Sequence, residues 1–380
     1  MTTLTLYYAT NRNHLGQDRW KPEGYGSKFS QDGVENLRFG KLTLETDQTI
    51  IQQHLNKNME ACGKGDGERL SGYLAECAES ATIKAYEEKL DPDTSDAHQK
   101  EIKLGSQAMF AELKTDMENN SDVLVYIHGF NVSWREAVGA ALALQLMLNH
   151  TEAADPEQHL VVVLFTWPSD GLALPFTSYR SDRSEARGSG SAFGRGLLKL
   201  RDYLCALRDR SRGGEELCGQ DIHLLCHSMG NYLLQHTIER IDQYTPGDAL
   251  PRLFEQIFLC APDVDDDALE RSDKLGRVQE LARAVSLYHN RGDMAMMVSD
   301  YTKGNPERLG AGGAAHPALL HNKIQQIDCT PIVSGLVEHS YYLSGFPNAD
   351  IRQSIDGLPQ DDSRRRRARD GNLANVWRMK

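Results

Sequence analysis

The sequence predicts an α/β fold: a mostly parallel sheet with helices on both faces. Three observations carry this reading. Predominantly apolar runs of strand length recur at 122–127, 160–167, 222–226, 257–261 and 284–288, as expected of strands buried on both sides. Helix-patterned stretches lie between them, and strands alternating with helices build a parallel sheet. The third observation is Cys226-His227-Ser228-Met229-Gly230-Asn231, where a strand ends on a serine and reverses at once into a helix.

Taken in order, Leu4 to Ala9 alternates threonine with apolar residues and reads as a strand, as does 37–44; together they suit the antiparallel edge of a mixed sheet. Residues 13–36 read as an irregular connection. Residues 48–103 read as a helical insertion of two or three amphipathic helices, broken at Gly63-Lys64-Gly65-Asp66-Gly67 and at Asp91-Pro92-Asp93. Gln107 to Met117 and Ala137 to Leu148 are predicted helices flanking the first buried strand. The strand at 160–167 is stopped by Pro168. Residues 169–196, rich in Gly, Ser and charge, read as a loop able to serve as a lid, with helix resuming at Leu197. Beyond the elbow, Leu234, Ile238 and Ile241 recur at helical spacing. Residues 324–329 form a plausible last strand, and 376–379 a closing one. The predicted organisation is a single domain over 1–345, followed by a C-terminal extension, 346–380, that carries a basic run at Arg364–Arg369.

Composition narrows the function classes. A chain of 380 residues, 40% hydrophobic and 25% charged, can bury a large core. Its net charge of −12 argues against general nucleic-acid binding, which needs a basic surface. The start has no basic stretch leading into a long apolar one, and no apolar run approaches the roughly 20 residues that span a bilayer. The seven cysteines follow no paired spacing and suit reduced thiols in a cytoplasmic protein. No metal or organic cofactor is implied.

In a parallel sheet, ligands bind at the carboxyl ends of the strands. His128-Gly129-Phe130-Asn131, Ser228, Asp263, Asp293 and His339 all fall there, in the order nucleophile, acid, base. A serine hydroxyl needs an adjacent base and nearby N–H donors, so Ser228 is the expected nucleophile and His339 the base. The acid is Asp293, with Asp263, one strand earlier, as the alternative. Met229, next after the nucleophile, and Phe130, in the loop after His-Gly, are the expected oxyanion donors; Asn131 could add a side-chain donor. His227 reads as structural, His321 lies at the wrong end of the sheet, His289 sits in or just past a strand, and His316 is a weaker competitor. Asp265, Asp266 and Asp267 read as a solvated helix start.

These residues, with Tyr8-Ala9-Thr10-Asn11-Arg12, Phe39-Gly40, Thr166-Trp167-Pro168-Ser169, Tyr179-Arg180-Ser181-Asp182-Arg183-Ser184, Ala261-Pro262-Asp263-Val264-Asp265 and His339-Ser340-Tyr341, resemble a bacterial α/β-hydrolase branch of the esterase/lipase superfamily. The likeness runs from residue 4 to about 345, outside the insertion. It implies the α/β-hydrolase fold and a Ser–Asp–His triad. Members usually carry alanine where this chain has Cys226, so the missing first glycine of G-x-S-x-G fits the branch. Tyr179, Asp182 and Arg183 match a segment near the top of the sheet, where they either shape the pocket or pin the loop.

Three functions follow as expectations. The first is a serine hydrolase that cleaves carboxylic esters through an acyl-enzyme. The second is a lipase or phospholipase effector in a bacterial defence or toxin system, with the 169–196 loop as lid and the arginine run as anchor. The third is a non-catalytic scaffold that binds a partner through 48–103. The expected ligand is a small ester or lipid, with a transient membrane or protein partner allowed by the basic run, which otherwise reads as a solvated surface segment.

Overall fold

In a computed structural model, the apolar runs become the centre of an eleven-stranded sheet ordered β12-β13-β11-β10-β9-β8-β6-β7-β1-β4-β5. The structure describes residues 1–88, 104–119, 121–154, 157–169, 175–211, 219–296, 307–333 and 339–380. The strands are β1 (Thr2–Thr10), β2 (Arg12–Leu15), β3 (Gly24–Phe29), β4 (Arg38–Thr46), β5 (Thr82–Ala85), β6 (Ser121–Ile127), β7 (His159–Thr166), β8 (Ile222–His227), β9 (Phe254–Cys260), β10 (Ala282–His289), β11 (Ile324–Asp328), β12 (Arg367–Arg369) and β13 (Val376–Met379). From β13 through to β1 neighbouring strands run parallel; β4 and β5 at one edge and β12 at the other are antiparallel. The helices are α1 (Gln48–Leu55), α2 (Gly67–Cys77), α3 (Gly105–Glu118), α4 (Trp134–His150), α5 (Pro175–Ser211), α6 (Met229–Asp242), the single turn α7 (Leu309–Gly312) and α8 (Gly345–Ile355).

The period-2 geometry of a strand sends alternate side chains to opposite faces. Val123, Ile127, Leu224 and Cys226 join the core under α3, α5 and α6. Leu124, Tyr126 and Leu225 join the one under α1, α2, α4 and α8. Both faces are therefore covered, which is why these strands read as mainly apolar runs and do not alternate with polar residues.

Several expectations are corrected. Residues 13–36 contain the β2–β3 hairpin. The insertion at 48–103 is not wholly helical: α1 and α2 form, but Thr82–Ala85 is β5, pairing antiparallel with β4 as the sheet's edge. Four residues with only Ile83 and Ala85 buried give too short an alternation to stand out. Residues 89–103 lie outside the described residues.

The loop predicted over 169–196 is largely helix, since α5 begins at Pro175; 170–174 lie outside the described residues. Its glycines mark close packing, not a turn. A Cβ at Gly190 would stand 2.9 Å from the carbonyl carbon and the Cβ of His236 on α6, so only glycine lets the two helices meet there.

The C-terminal extension is not separate either. The boundary at 345 coincides with the start of α8, and β13 adds parallel to β11. The arginine run is not a uniformly solvated segment: Arg365 Nε lies 2.8 Å and Arg367 Nη1 3.1 Å from the buried Asp350 carboxylate. Arg364 remains outside, paired with Asp362 at 2.8 Å. Asp265, Asp266 and Asp267 begin no helix; Asp265 and Asp267 hold Lys274 at 2.9 and 2.5 Å.

Candidate active site

The chain reverses its direction of travel across the sheet at β6, whose neighbours are β7 on one side and β8 on the other. Such a switch point opens a crevice at the strands' carboxyl ends. Ser228 leaves β8 there, and Gly129-Phe130-Asn131 leaves β6.

Ser228 has φ 52° and ψ −122°, a backbone conformation that a non-glycine residue occupies only at a cost of order 1–3 kcal/mol. Its neighbours hold it in place. Ser228 N–H donates to Cys260 O at 2.9 Å, while Ser228 O accepts from Asp263 N at 3.1 Å, Asn231 N at 3.0 Å and Asn231 Nδ2 at 3.1 Å. Gly230 is required because a Cβ there would meet His128 O at 2.8 Å and Ile127 O at 2.9 Å. Cys226, where the first glycine of the pattern would stand, is fully buried and gives its carbonyl to Asn231 Nδ2. Met229 opens α6, directly after the serine, so its N–H is among those left over at a helix start.

His339 and Asp293 are brought together. The imidazole Nδ1 lies 2.6 Å from Asp293 Oδ2. Asp293 is fully buried, and its Oδ1 accepts from the backbone N–H of Ala295 (3.0 Å) and Met296 (3.3 Å), which fixes the carboxylate's orientation. The His339 ring packs 4.5 Å from that of His227, the residue before Ser228, and His227 Nε2 lies 3.2 Å from His339 O. Burial, then the neighbouring His339, pushes the His227 pKa well down and keeps that ring neutral.

Asp263 is engaged elsewhere. Its Oδ2 accepts from Tyr179 Oη at 2.7 Å, and Arg308 Nε lies 3.4 Å from its Oδ1. Arg308 is wholly buried and also pairs with Asp265 at 2.6 Å. The other histidines lie apart: His289 Nδ1 meets Ala311 O, His316 meets Glu270, and His321 Nδ1 accepts from Lys323 N.

The loop after β6 is held along its length. His128 stacks on Trp167, its Nδ1 bonding Gly129 O at 2.9 Å and its Nε2 Thr166 Oγ1 at 2.9 Å. Burial, then the Arg12 guanidinium, pushes the His128 pKa down to about 3, so the ring is a neutral strut. Gly129 lets the loop touch the elbow, since a Cβ would stand 2.8 Å from Ser228 Cβ. Phe130 packs edge-on to Tyr179, 5.5 Å between ring centroids. Asn131 takes φ 57°, and its side-chain Oδ1 is buried.

Tyr179, Asp182 and Arg183 share one face of one turn of α5, and each ties that turn to a different part of the site. Tyr179 reaches Asp263, Asp182 Oδ2 accepts from Asn131 N (2.9 Å) and Ser169 Oγ (2.5 Å), and Arg183 lies 3.7 Å over the Tyr232 ring on α6. The sequence shows Arg12 and Asp182 only as parts of the motifs that carry the resemblance, and neither their partners nor Arg308 could be read from it. Single polar residues carry no periodic signal, and their partners lie far along the chain.

Residues 105–350, well over half of the chain and all of the crevice, match the family described as "Alpha/beta hydrolase of unknown function (DUF900)". The chain belongs to this family. Its matched span runs from α3 to the start of α8, leaving outside the β1–β5 edge and the C-terminal strands. This α/β hydrolase is also similar to an uncharacterised protein of Nostoc sp., 24% identical over 285 residues that cover 58% of this chain and 70% of the relative. Among the described residues, no helix is long and apolar enough to cross a membrane.

Proposed function

We propose that this α/β hydrolase cleaves carboxylic esters with Ser228 as nucleophile, His339 as general base and Asp293 as its orienting acid. The observation that carries the reading is the 2.6 Å His339–Asp293 contact, with the His339 ring packed 4.5 Å from that of His227, the residue before a serine held at positive φ. With Nδ1–H donated to the carboxylate, the lone pair of His339 lies on Nε2, the nitrogen left to take a proton from Ser228. The serine oxygen then adds to the ester carbonyl carbon, and the resulting oxyanion accepts from Met229 N–H and Phe130 N–H. As the tetrahedral intermediate collapses, the C–O bond breaks and His339 returns its proton to the departing alcohol. Water then enters, loses a proton to His339 and adds to the acyl carbon; as this second intermediate collapses, the bond to Ser228 Oγ breaks, the acid leaves and His339 returns the proton to Ser228.

The test is labelling by a fluorophosphonate probe together with turnover of p-nitrophenyl esters from acetate to palmitate and of phospholipid vesicles. Wild type should label and turn over. Ser228→Ala should do neither, and His339→Ala should lose at least about 10³-fold in kcat. A folded wild type that neither labels nor cleaves any of these substrates refutes the reading. Preference for long chains presented on vesicles would move the assignment from esterase to lipase.

A further inference from the structure

Asp182 accepts from the backbone N–H of Asn131, the residue next to the one expected to give the second oxyanion donor. Along that segment, His128 O accepts from Trp167 Nε1 at 3.1 Å and Gly129 O is bonded by His128 Nδ1. Asn131 N donates to Asp182 Oδ2, Val132 N to Ser169 Oγ at 3.0 Å, and Val132 O accepts from Arg12 Nη2 at 2.7 Å. Ser169 Oγ itself donates to the same Asp182 oxygen. Asp182 is fully buried and reaches the loop from a helix 51 residues further along the chain. Asn131 is held in the left-handed region, a conformation that the peptide must be paid to keep and that persists only where its surroundings over-determine it. The Phe130–Asn131 peptide hinges on the Phe130 Cα, to which the Phe130 nitrogen is bonded, so a shift of that peptide displaces the Phe130 N–H through this shared atom.

We infer that Asp182 is a positioning residue for catalysis: by fixing Asn131 N–H and Ser169 Oγ, it aims the Phe130 N–H at the oxygen that becomes negative. This rests on the hydrolase reading above. Tyr179, one turn earlier on the same helical face, backs the Phe130 ring, so one turn of α5 governs both the backbone and the side chain of the donor residue. A donor held before the substrate arrives costs no reorganisation as charge develops, which is where most of its effect on rate comes from. The effect therefore belongs to kcat and not to ground-state binding.

The experiment compares wild type with Asp182→Asn, Asp182→Ala and Ser169→Ala. It measures kcat and KM on a p-nitrophenyl ester, affinity for a trifluoromethyl ketone transition-state mimic, and hydrogen exchange at the amides of 129–132. Asp182→Ala should lower kcat about 10²–10³-fold with KM little changed. Asp182→Asn, which keeps an acceptor, and Ser169→Ala should fall between it and wild type. Affinity for the ketone should fall in step with kcat/KM, and the Asn131 amide should exchange faster. If Asp182→Ala does not fold, the two milder variants decide. Variants that expose the Asn131 amide yet keep wild-type kcat overturn the inference, as does a loss that appears in KM alone. A wild type without turnover overturns the hydrolase reading instead.

Discussion

Gly129→Ala is the sharpest probe of the geometry between the loop and the nucleophile. The added Cβ would lie 2.8 Å from Ser228 Cβ, 3.2 Å from His227 Nδ1 and 3.3 Å from Ser228 Oγ. Carbon atoms rest about 3.5–4.0 Å apart, so loop and elbow must separate by about 0.7–1.2 Å. The elbow resists, because Ser228 is bonded to Cys260, Asp263 and Asn231 through its backbone. Gly129 is not at positive φ, so alanine carries no backbone penalty and the cost in stability is that of overpacking, about 1–3 kcal/mol. The cost in rate is much larger in proportion: an ångström of misplacement is worth about 10²-fold, and a lost oxyanion donor about 10²–10³-fold. Fluorophosphonate labelling rate, kcat on a short ester and thermal melting would be read on the same preparation. The expected variant is folded, melts a few degrees lower and has lost at least about 10²-fold in both rates. A folded Gly129→Ala enzyme with wild-type rates would show that the loop after β6 does not serve the serine, and the oxyanion assignment would go with it.

Two further outcomes follow from buried charge. Asp350→Ala strands Arg365 and Arg367 without their carboxylate and should cost about 3–5 kcal/mol in urea unfolding, whereas a solvated arginine tail would predict about 1 kcal/mol or less. His128 has its pKa lowered to about 3 from 6.5, so on acidification the unfolded chain takes up a proton that the folded one refuses. Stability from this group is complete above about pH 6.5 and falls by about 1.4 kcal/mol per pH unit below it, until about pH 3. His227 and His289 are shifted in the same direction by burial, so the comparison to make is the difference in urea midpoint between pH 7 and pH 5 for wild type and for His128→Gln. The variant should show the smaller difference; equal slopes would mean that His128 is not buried as a neutral ring.

How much of this was legible in the sequence depends on what each residue packs against. β6, β7, β8, β9 and β10 stand out because both faces are covered and apolar residues fill most of their length. The strand-end positions of Ser228, Asp293 and His339 follow from that register. β5 and β12 escape notice for opposite reasons: one is four residues of weak alternation, and the other is Arg367-Ala368-Arg369, which reads as surface charge until Asp350 is seen beneath it. The first half of α5 is misread because Gly188 and Gly190 look like loop residues, while Gly190 is constrained by the approach of α6 and Gly188 by the Phe29 ring. Between Asp263 and Asp293 chain order allows either beside the base; the Tyr179 and Arg308 contacts that occupy Asp263 come from 84 residues upstream and from the loop before α7.

The same distance in sequence explains why arginine does so much inside a chain of net charge −12. A guanidinium presents five N–H groups in a rigid planar fork, against three on a lysine ammonium, and can satisfy acceptors from several separate segments at once. Arg12 bonds Gly26 O, Val132 O, Ser169 O and Thr166 Oγ1, joining the β2–β3 hairpin to the loops after β6 and β7. Arg352, on α8, does the same toward the opposite end of the strands, reaching Leu148 O, Asn149 Oδ1 and Gln158 O. Apolar contacts fix where the sheet and helices lie, but they are non-directional and cannot aim a peptide N–H. The loops that bear on Ser228 are irregular backbone, and their aim depends on polar groups with defined angles reaching in from distant parts of the chain. Substitutions in the apolar core and in these polar staples should therefore separate, the first acting on stability and the second on rate.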